Sequence, residues 1–306
     1  MKHIPLTIQA HAKINLDLRI LENRTDGFHE LRTVFQSLDL HDTITFVERQ
    51  GPFELSCREP GVPLDSGNLV WRAAVALWKT RAQEDEPRDL SVKLVKRIPV
   101  SAGLGGGSAD AVATLTALSH IWSISLSQSK LYEVAAGLGA DVPFFLWGGT
   151  ALGLGRGDTI YKLVDLAECW VVIILPRKGV STSQAYVWHD EERQILSGSD
   201  PVLQRVSGPW STGSVLLIND LEGPVVRHVP EIGDAKAALL AAGAVGSAMS
   251  GSGSAVFGLF ESHRAAKAAL LSLTGLGWRS ILTRTIPREE YERCSRLPAQ
   301  GGVKDY

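Results

Sequence analysis

The segment of this chain best suited to chemistry places four glycines between a predicted strand and a predicted helix. It runs from Pro99 to Asp110 and reads PVSAGLGGGSAD. Glycine lets a phosphate oxygen approach the backbone without meeting a Cβ atom. A helix N-terminus adds unpaired N–H groups and about half a positive charge. The spacing therefore predicts a loop that holds phosphate.

Two common phosphate motifs are excluded for this loop. No Gly-Lys-Ser/Thr follows the glycines, so the segment is not a Walker A loop. Ser108 stands where the dinucleotide fingerprint has its third glycine. A tight turn without a ligand is the structural alternative, although four glycines exceed what a turn needs.

Three other segments carry residues that could act on a substrate. Lys13 and Asn15 lie two residues apart on a predicted strand, so their side chains share one face about 7 Å apart. The alternative is that this face is only a solvated surface. Asp141 follows a predicted helix in a turn stiffened by Pro143, where an aspartate is usually only a turn residue. The run from Ser247 to Ser254, predicted to link a helix to a strand, is either a simple linker or a second place where backbone meets phosphate or sugar.

Composition excludes several classes of function. The chain has 306 residues, 44% of them hydrophobic, which is enough for a large core and two domains. A formal net charge of -2 argues against a general nucleic-acid or anionic-membrane binder. Its apolar runs are too short to span a bilayer, and no signal-type apolar core follows the N-terminus. Three cysteines without a CxxC pair predict buried free thiols and a cytoplasmic protein.

Hydrophobic periodicity predicts the elements that must position these residues. Strands are predicted over residues 12–20, 38–46, 90–98, 170–175 and 255–260. Helices are predicted over 68–78, 127–138 and 231–242, and another with one apolar stripe follows the glycine loop. The Asp26-Gly27 pair predicts a hairpin turn after the first strand, and the polar composition of 193–212 predicts a long surface loop.

Taken in order along nearly the whole chain, these segments resemble the superfamily of galactokinase, homoserine kinase, mevalonate kinase and phosphomevalonate kinase. Within it they are most similar to the kinases that phosphorylate a CDP-linked methylerythritol in the non-mevalonate isoprenoid pathway. The glycine loop alone indicates the superfamily, and Lys13, Asn15, His29 and Asp141 select the member. The resemblance rests on Ala12–Leu16, Arg24–His29, Pro99–Ala109, Gly139–Pro143, Asn219–Glu222 and Ser250–Gly253.

The resemblance implies an α+β, two-lobed GHMP kinase fold with the active site in the cleft between the lobes. It implies an ATP-binding and catalytic lobe over 1–165 and a substrate-binding lobe over 166–306. The implied reaction transfers phosphate from ATP, with Mg²⁺, to the 2-hydroxyl of the methylerythritol. The implied partners are ATP and the CDP-linked small molecule, with no nucleic acid or membrane, for a monomer or homodimer.

By the same resemblance, Lys13 and Asp141 flank the reacting hydroxyl as the catalytic pair. Phosphoryl transfer depends mostly on positioning and electrostatic stabilisation. An ordinary aspartate, with a pKa of about 3.9, is a weak base, so Asp141 is expected to orient the hydroxyl as much as deprotonate it. The ATP phosphates are assigned to Pro99, Val100, Ser101, Ala102, Gly103, Leu104, Gly105, Gly106, Gly107, Ser108 and Ala109.

The resemblance assigns substrate binding to three residues: Asn15, Phe28 and His29. Phe28 stands where the family commonly has tyrosine, which keeps a stacking face for cytosine but no phenolic hydrogen bond. A second stacking residue is expected at Tyr186 or Trp188, and either could equally belong to the core.

Ala109 replaces a frequent second serine of the family and leaves one hydroxyl fewer for phosphate or magnesium, whose ligands stay open. One alternative function is a sister kinase for mevalonate, homoserine or a sugar, which needs no cytosine pocket at His29. Another is a catalytically silent nucleotide sensor on this fold. The presence of both Lys13 and Asp141 argues against a sensor, because a sensor would be free to lose either.

Overall fold

Strands and helices are mixed along the chain without strict alternation, as the sequence predicts. The computed structural model describes residues 5–81, 86–196 and 217–295. The strands are β1 Leu6–Asn23, β2 His29–Pro52, β3 Glu54–Cys57, β4 Arg88–Val95, β5 Thr150–Gly155, β6 Thr159–Lys162, β7 Trp170–Leu175, β8 Ile218–Asn219, β9 Gly246–Met249, β10 Val256–Phe260 and β11 Arg279–Arg284.

The described helices are α1 Leu69–Lys79, α2 Gly106–Ile121, α3 Gln128–Leu138, α4 Thr182–Leu196, α5 Glu222–His228, α6 Pro230–Ala241, α7 His263–Leu273 and α8 Arg288–Ser295, with short 3₁₀ turns at Val142–Leu146 and Thr274–Leu276. The three helices predicted with bounds form within one residue of them, as α1, α3 and α6, and α2 follows the glycine loop as predicted, whereas α4, α5, α7 and α8 were not predicted. Side-chain caps explain two of the starts, since Asn68 accepts from the Val70 N–H and Ser127 from the Lys130 N–H. None of these described helices has the length and hydropathy to cross a membrane.

Two β-sheets carry the fold. The larger runs in the order β3-β4-β2-β1-β8, and β5 and β6 extend it from β2. The smaller has four strands in the order β11-β7-β10-β9. Because β8 follows β7 in the chain yet pairs in parallel with β1, the C-terminal half of the chain contributes a strand to the larger sheet.

Three apolar clusters hold these layers together. One packs α1, α2 and α3 against the larger sheet, and a second packs α5, α6 and α7 against the smaller sheet. The third lies between the two sheets, where Ile14 and Leu16 of β1 share a cluster with Ile173 of β7 and Phe257 of β10. The sheets therefore meet along the strand that carries Lys13.

Strand β1 does not have the solvated polar face that its alternation allowed. Lys13 and Asn15 are only 2% and 3% exposed, because other parts of the chain cover the face on which they lie. The ladder between β1 and β2 shifts register between His11 and Lys13. At that irregularity the Lys13 N–H donates to the carbonyl of Leu104 in the glycine loop, at 3.0 Å.

Several element predictions were wrong in detail. Helix α2 has no single apolar stripe, because it is buried on nearly all sides between α1, α3 and the larger sheet. The strand predicted over 90–98 ends at Val95. The run 247–254 does not link a helix to a strand, because residues 247–249 belong to β9, which pairs with β10, and the remainder forms the turn between these two strands. The predicted loop is wrong over 193–196, which are helical, and its remainder to 212 lies outside the described residues.

The three cysteines are free thiols, as predicted. They are partly exposed, so the expectation that they are buried was wrong. The predicted hairpin turn is confirmed, with Gly27 at φ +82° and its N–H donating to the Arg24 carbonyl.

Asn219 fixes the turn between β9 and β10. Its side-chain amide donates to the carbonyls of Met249 at 2.8 Å and Gly251 at 2.7 Å, and its side-chain oxygen accepts from the Leu221 N–H at 3.0 Å. All of this is buried, and Asn219 itself is held in β8 beside Leu18 of β1. The turn is thereby tied to the larger sheet.

We expect Asn219→Asp to lower the free energy of unfolding by about 1–3 kcal/mol for each buried carbonyl that loses its donor. A carboxylate cannot donate to the Met249 and Gly251 carbonyls. Urea unfolding followed by circular dichroism measures the change. Asn23→Asp makes the same chemical change at an exposed position and should stay within about 0.5 kcal/mol of wild type. Equal effects of the two substitutions would contradict the role given to Asn219.

Candidate active site

A cavity of about 890 Å³ lies where the two sheets meet. The glycine loop and β1 line one part of it, and the β1–β2 hairpin, the start of α4 and the β9–β10 turn line another. Residues of β2, of the segment after α3 and of the β5–β6 turn complete the lining. The predicted site residues that line it are Lys13, Asn15, Phe28, His29, Ser101, Gly103, Gly105, Ser108 and Asp141. Segments far apart in sequence are thus brought to one cavity.

The Lys13 ammonium is the central charge of this cavity. Its Nζ lies 3.1 Å from Asp141 Oδ2 and donates to Asn15 Oδ1 at 2.7 Å. The lysine side chain is 3% exposed and that of Asp141 is 37% exposed, so the carboxylate keeps access to the cavity. A buried charge without partners would be strongly destabilising, which is why both contacts matter.

Local sequence explains how Asp141 reaches the lysine. Helix α3 ends at Leu138, Gly139 follows in an extended conformation, and Asp141 precedes the 3₁₀ turn that contains Pro143. The carboxylate makes no capping bond to that turn. Its side chain is therefore available to the ion pair.

Asn15 is held in a chain of hydrogen bonds that the sequence did not reveal. Its Nδ2 donates to Thr33 Oγ1 at 2.7 Å, and Thr33 donates to the Asp17 carbonyl at 2.7 Å. Thr33 lies across the ladder on β2 and lines the cavity. Nothing in the spacing of one strand indicates its partner on another, so Thr33 was missed.

The glycine loop leads into helix α2, whose N-terminus has no side-chain cap. Helix α2 begins at Gly106, and its N-cap is Gly105 at φ +71°, with no side chain bonded to the first N–H groups. Residues 99–108 line a groove of about 340 Å³ beside this helix start. The fit to an anion is good, because unpaired N–H groups and the helix dipole both favour negative charge. Ala109, by contrast, packs in the core and is not part of the groove lining.

Glycines in this loop are also required by the protein's own packing. A Cβ at Gly103 would lie 2.1 Å from the Ser250 carbonyl oxygen, and one at Gly105 would lie 2.7 Å from the Phe145 ring. A Cβ at Gly107 would meet only a Leu69 methyl at 3.4 Å. Packing therefore accounts for the glycines at 103 and 105, and Gly107 is the position at which the phosphate interpretation can be tested separately.

A buried charge cluster lies beneath the loop and was not predicted from the sequence. The Lys96 ammonium bonds to the carboxylates of Asp42 and Asp110, the latter at 2.8 Å. Burial raises the pKa of Asp110 to about 7, against the lowering effect of Lys96. Lys96 and Asp110 line the groove and place polar groups beside the start of α2.

An aromatic cluster forms the other end of the cavity. His29 of the hairpin stacks on Tyr186 of α4, with ring centroids 4.9 Å apart and planes 25° from parallel. Phe28 is 53% exposed, and the Arg156 guanidinium lies 5.2 Å from its ring. Of the two stacking candidates, Tyr186 lines the cavity, whereas Trp188 stacks on His228 and is absent from the lining.

Comparison with known proteins agrees with this geometry. The chain matches the family models for the GHMP kinases N terminal domain over residues 68–149 and GHMP kinases C terminal over 211–276. It is 40% identical to the 4-diphosphocytidyl-2-C-methyl-D-erythritol kinase of Geobacter sulfurreducens, covering 92% of this chain and 99% of the relative. The chain belongs to the 4-diphosphocytidyl-2-C-methyl-D-erythritol kinase family.

Solved structures place this family member in the GHMP kinase fold. A crystal structure of 4-(cytidine 5'-diphospho)-2C-methyl-D-erythritol kinase has a TM-score of 0.70 and 32% identity, covering 92% of this chain and 99% of that one. Homoserine kinase from Cytophaga hutchinsonii, at 19% identity, has a TM-score of 0.64 over 94% of this chain and 96% of its own and shares the fold. The predicted α+β GHMP fold is confirmed.

We expect Gly107→Ala and Gly103→Ala to behave differently. Gly107→Ala should keep the stability of the fold, because alanine favours helix and its Cβ would make only an ordinary contact with the Leu69 methyl. It should raise the KM for ATP about tenfold through the loss of one phosphate hydrogen bond. Gly103→Ala should destabilise the fold by more than about 1 kcal/mol, because φ is +77° and the Ser250 backbone is in the way. Thermal unfolding and ATP titration of initial rates measure both. An unchanged KM in Gly107→Ala would contradict backbone contact with phosphate there.

Proposed function

We propose that this chain transfers the γ-phosphate of ATP to the 2-hydroxyl of 4-diphosphocytidyl-2-C-methyl-D-erythritol. The observation that carries the proposal is one cavity with an ion pair, Lys13 and Asp141, between an uncapped helix start and an aromatic cluster. The helix start suits the phosphates of ATP, the ion pair suits the reacting hydroxyl, and the aromatic cluster suits the cytosine base of the acceptor. Relatives that cover nearly the whole chain bear the name of this kinase.

The ATP phosphates would lie against the start of α2. Gly106, Gly107 and Ser108 begin this helix and line the groove, and the Ser108 hydroxyl adds a side-chain ligand. Mg²⁺ fits the oxygen donors at this end of the cavity, where the Ser108 hydroxyl lines the wall and the ATP phosphates would supply further oxygens. Such an ion would neutralise charge on the phosphates. The chain itself supplies the orientation, through backbone N–H groups that are already in place.

Lys13 and Asp141 would act on the reacting groups. The 2-hydroxyl oxygen forms a bond to the γ-phosphorus while the bond to the β,γ-bridging oxygen breaks and ADP leaves. The Lys13 ammonium is positioned to stabilise the negative charge on the transferring group. The Asp141 carboxylate orients the hydroxyl and accepts its proton as the new bond forms. Asn15 and Thr33 keep the ammonium in place, as their hydrogen bonds show.

The CDP part of the substrate would occupy the aromatic end. Phe28 and Tyr186 offer ring faces for cytosine. His29 follows Phe28 in the chain and stacks on Tyr186. Burial raises the pKa of the Tyr186 phenol, and Asp141 and Asp190 raise it further, so this ring stays neutral at physiological pH. A neutral aromatic ring is suited to stacking on a base.

We further propose the division into an ATP-binding and catalytic lobe, 1–165, and a substrate-binding lobe, 166–306. Tyr186 supports the second assignment, whereas Phe28 and His29 bring substrate contacts from the first. A cytoplasmic location and a monomer or homodimer stay predictions from the sequence.

A panel of acceptors tests the proposed function. ADP release should depend on the CDP-linked substrate and be far slower with free methylerythritol, mevalonate or homoserine. Efficient use of free methylerythritol would show that no cytidine is recognised. A preference for mevalonate or homoserine would assign the chain to a sister kinase, and inactivity with all four would support a silent nucleotide binder.

We expect Lys13→Met and Asp141→Asn each to lower kcat at least about 10²-fold, with little change in the KM for ATP. Both groups act on the transferring phosphate or the hydroxyl and not on the bound nucleotide. Steady-state rates with saturating ATP measure the loss, and thermal unfolding checks the fold. Lys130→Met, on the exposed face of α3, is the matched control and should keep full activity. Near-normal turnover in either site variant would remove that residue from the mechanism.

We expect Phe28→Ala and Tyr186→Ala to raise the KM for the CDP-linked substrate, since base stacking is worth about 1–3 kcal/mol per base. His29→Ala should do the same, whereas Phe28→Tyr should be tolerated because its stacking face is kept. Initial rates at varied substrate and saturating ATP measure the effect. Trp188→Ala serves as control because Trp188 stacks on His228 outside the cavity. A larger KM effect from Trp188 than from Tyr186 would reverse the assignment.

A further inference from the structure

Helix α4 presents a second side chain to the hairpin besides Tyr186. Asp190 lies four residues after Tyr186, so both side chains are on one face of the helix, one turn apart. Tyr186 stacks on His29, and Asp190 Oδ1 lies 2.8 Å from His29 Nε2. His29 is therefore held from two sides by a helix that is distant in sequence.

The hydrogen bond decides which ring nitrogen of His29 carries the hydrogen. An ionised carboxylate can only accept, so Nε2 must be the donor to Asp190. In the neutral ring the other nitrogen, Nδ1, then keeps a lone pair and is an acceptor. The partner of one imidazole nitrogen thus fixes what the other can recognise.

Within the part of the chain that the structure describes, the Asp190 carboxylate contacts two imidazole rings. Its side chain is 36% exposed, and its other contact among the described residues is to His189 Nδ1, 3.3 Å from the same oxygen. His189 is the next residue back on α4, so that contact does not bridge to the hairpin. The contact that joins two distant segments is the one to His29, whose side chain is only 12% exposed and lines the cavity.

We propose that Asp190 is a positioning residue that sets the His29 tautomer and so makes the site select an amino pyrimidine over an oxo pyrimidine. This inference rests on the proposed function, in which His29 faces the base. The exocyclic amino group of cytosine donates and matches an Nδ1 acceptor, whereas uracil has an acceptor oxygen at that position. Two acceptors facing each other leave both unpaired, which penalises the wrong base.

Asp190→Asn and Asp190→Ala test the inference with two substrates, the CDP-linked compound and the same compound with uracil in place of cytosine. An amide can donate as well as accept, so Asp190→Asn permits either tautomer at nearly unchanged shape. We expect the cytosine-to-uracil ratio of kcat/KM to fall about tenfold in both variants, the loss of one hydrogen bond's selectivity. Glu191→Gln, the next and exposed carboxylate of α4, should leave the ratio unchanged.

Nitrogen-15 shifts of the His29 ring supply a readout that a purely structural role would not move. We expect a protonated Nε2 and an unprotonated Nδ1 in wild type and in Glu191→Gln, and a mixture of tautomers in Asp190→Asn. The His29 signals are assigned by their absence in His29→Gln. Thermal unfolding and the KM for ATP, expected to be unchanged, show that the variants keep the fold and the nucleotide site.

Two results would overturn the inference. The first is an unchanged base ratio in folded Asp190 variants; if both substrates lose rate equally, Asp190 only anchors the hairpin. The second is a wild-type ring with its hydrogen on Nδ1. Wild-type inactivity on the cytosine substrate would instead refute the proposed function, and the nitrogen shifts would still decide whether Asp190 sets the tautomer.

Discussion

The buried ammonium of Lys13 is the interaction on which the site depends. A charge this far from water is tolerated only with close partners, and Asp141 and Asn15 supply them at 3.1 and 2.7 Å. The same residue's N–H holds the glycine loop through Leu104. Lys13 on β1 therefore contacts the turn that carries Asp141, its strand neighbour Asn15 and the glycine loop. Removing the contact to Asp141 or to Asn15 leaves the ammonium less well compensated, so the fold and the site share one electrostatic requirement.

The glycine loop is fixed from its other side by the C-terminal half of the chain. Ser250 Oγ donates to the Gly103 carbonyl at 3.0 Å, and the Ala255 N–H donates to the Ala102 carbonyl at 3.1 Å. Asn219 holds the same turn from β8. An anion-binding helix start is useful only if its N–H groups point at a fixed place, because preorganised donors need not rearrange when charge develops. The tight packing around Gly103 and Gly105 provides that rigidity.

The aromatic end of the cavity is likewise built from both halves of the chain. The hairpin that carries Phe28 and His29 comes from the N-terminal half, and α4 brings Tyr186 and Asp190 from the C-terminal half. Neither segment offers a complete pocket alone. A substrate bound between the hairpin and α4 would contact both segments at once. The β1–β2 ladder sets the distance between the aromatic cluster and Lys13.

Local signals in the sequence determined much of this protein: the glycine loop before α2, the caps at Asn68 and Ser127, the hairpin glycine at Gly27, and the pairing of Lys13 with Asn15 on one face. These depend on neighbours a few residues apart, so periodicity and turn chemistry reveal them. The ion pair to Asp141 and the GHMP fold were reached only through resemblance to a family. Tertiary structure alone decided that the polar face of β1 is buried, that β9 forms, that Tyr186 and not Trp188 lines the cavity, and that Thr33, Lys96 and Asp190 complete the surroundings. Each of these depends on contacts between residues far apart in the chain, and no pattern within a single segment specifies its distant partner.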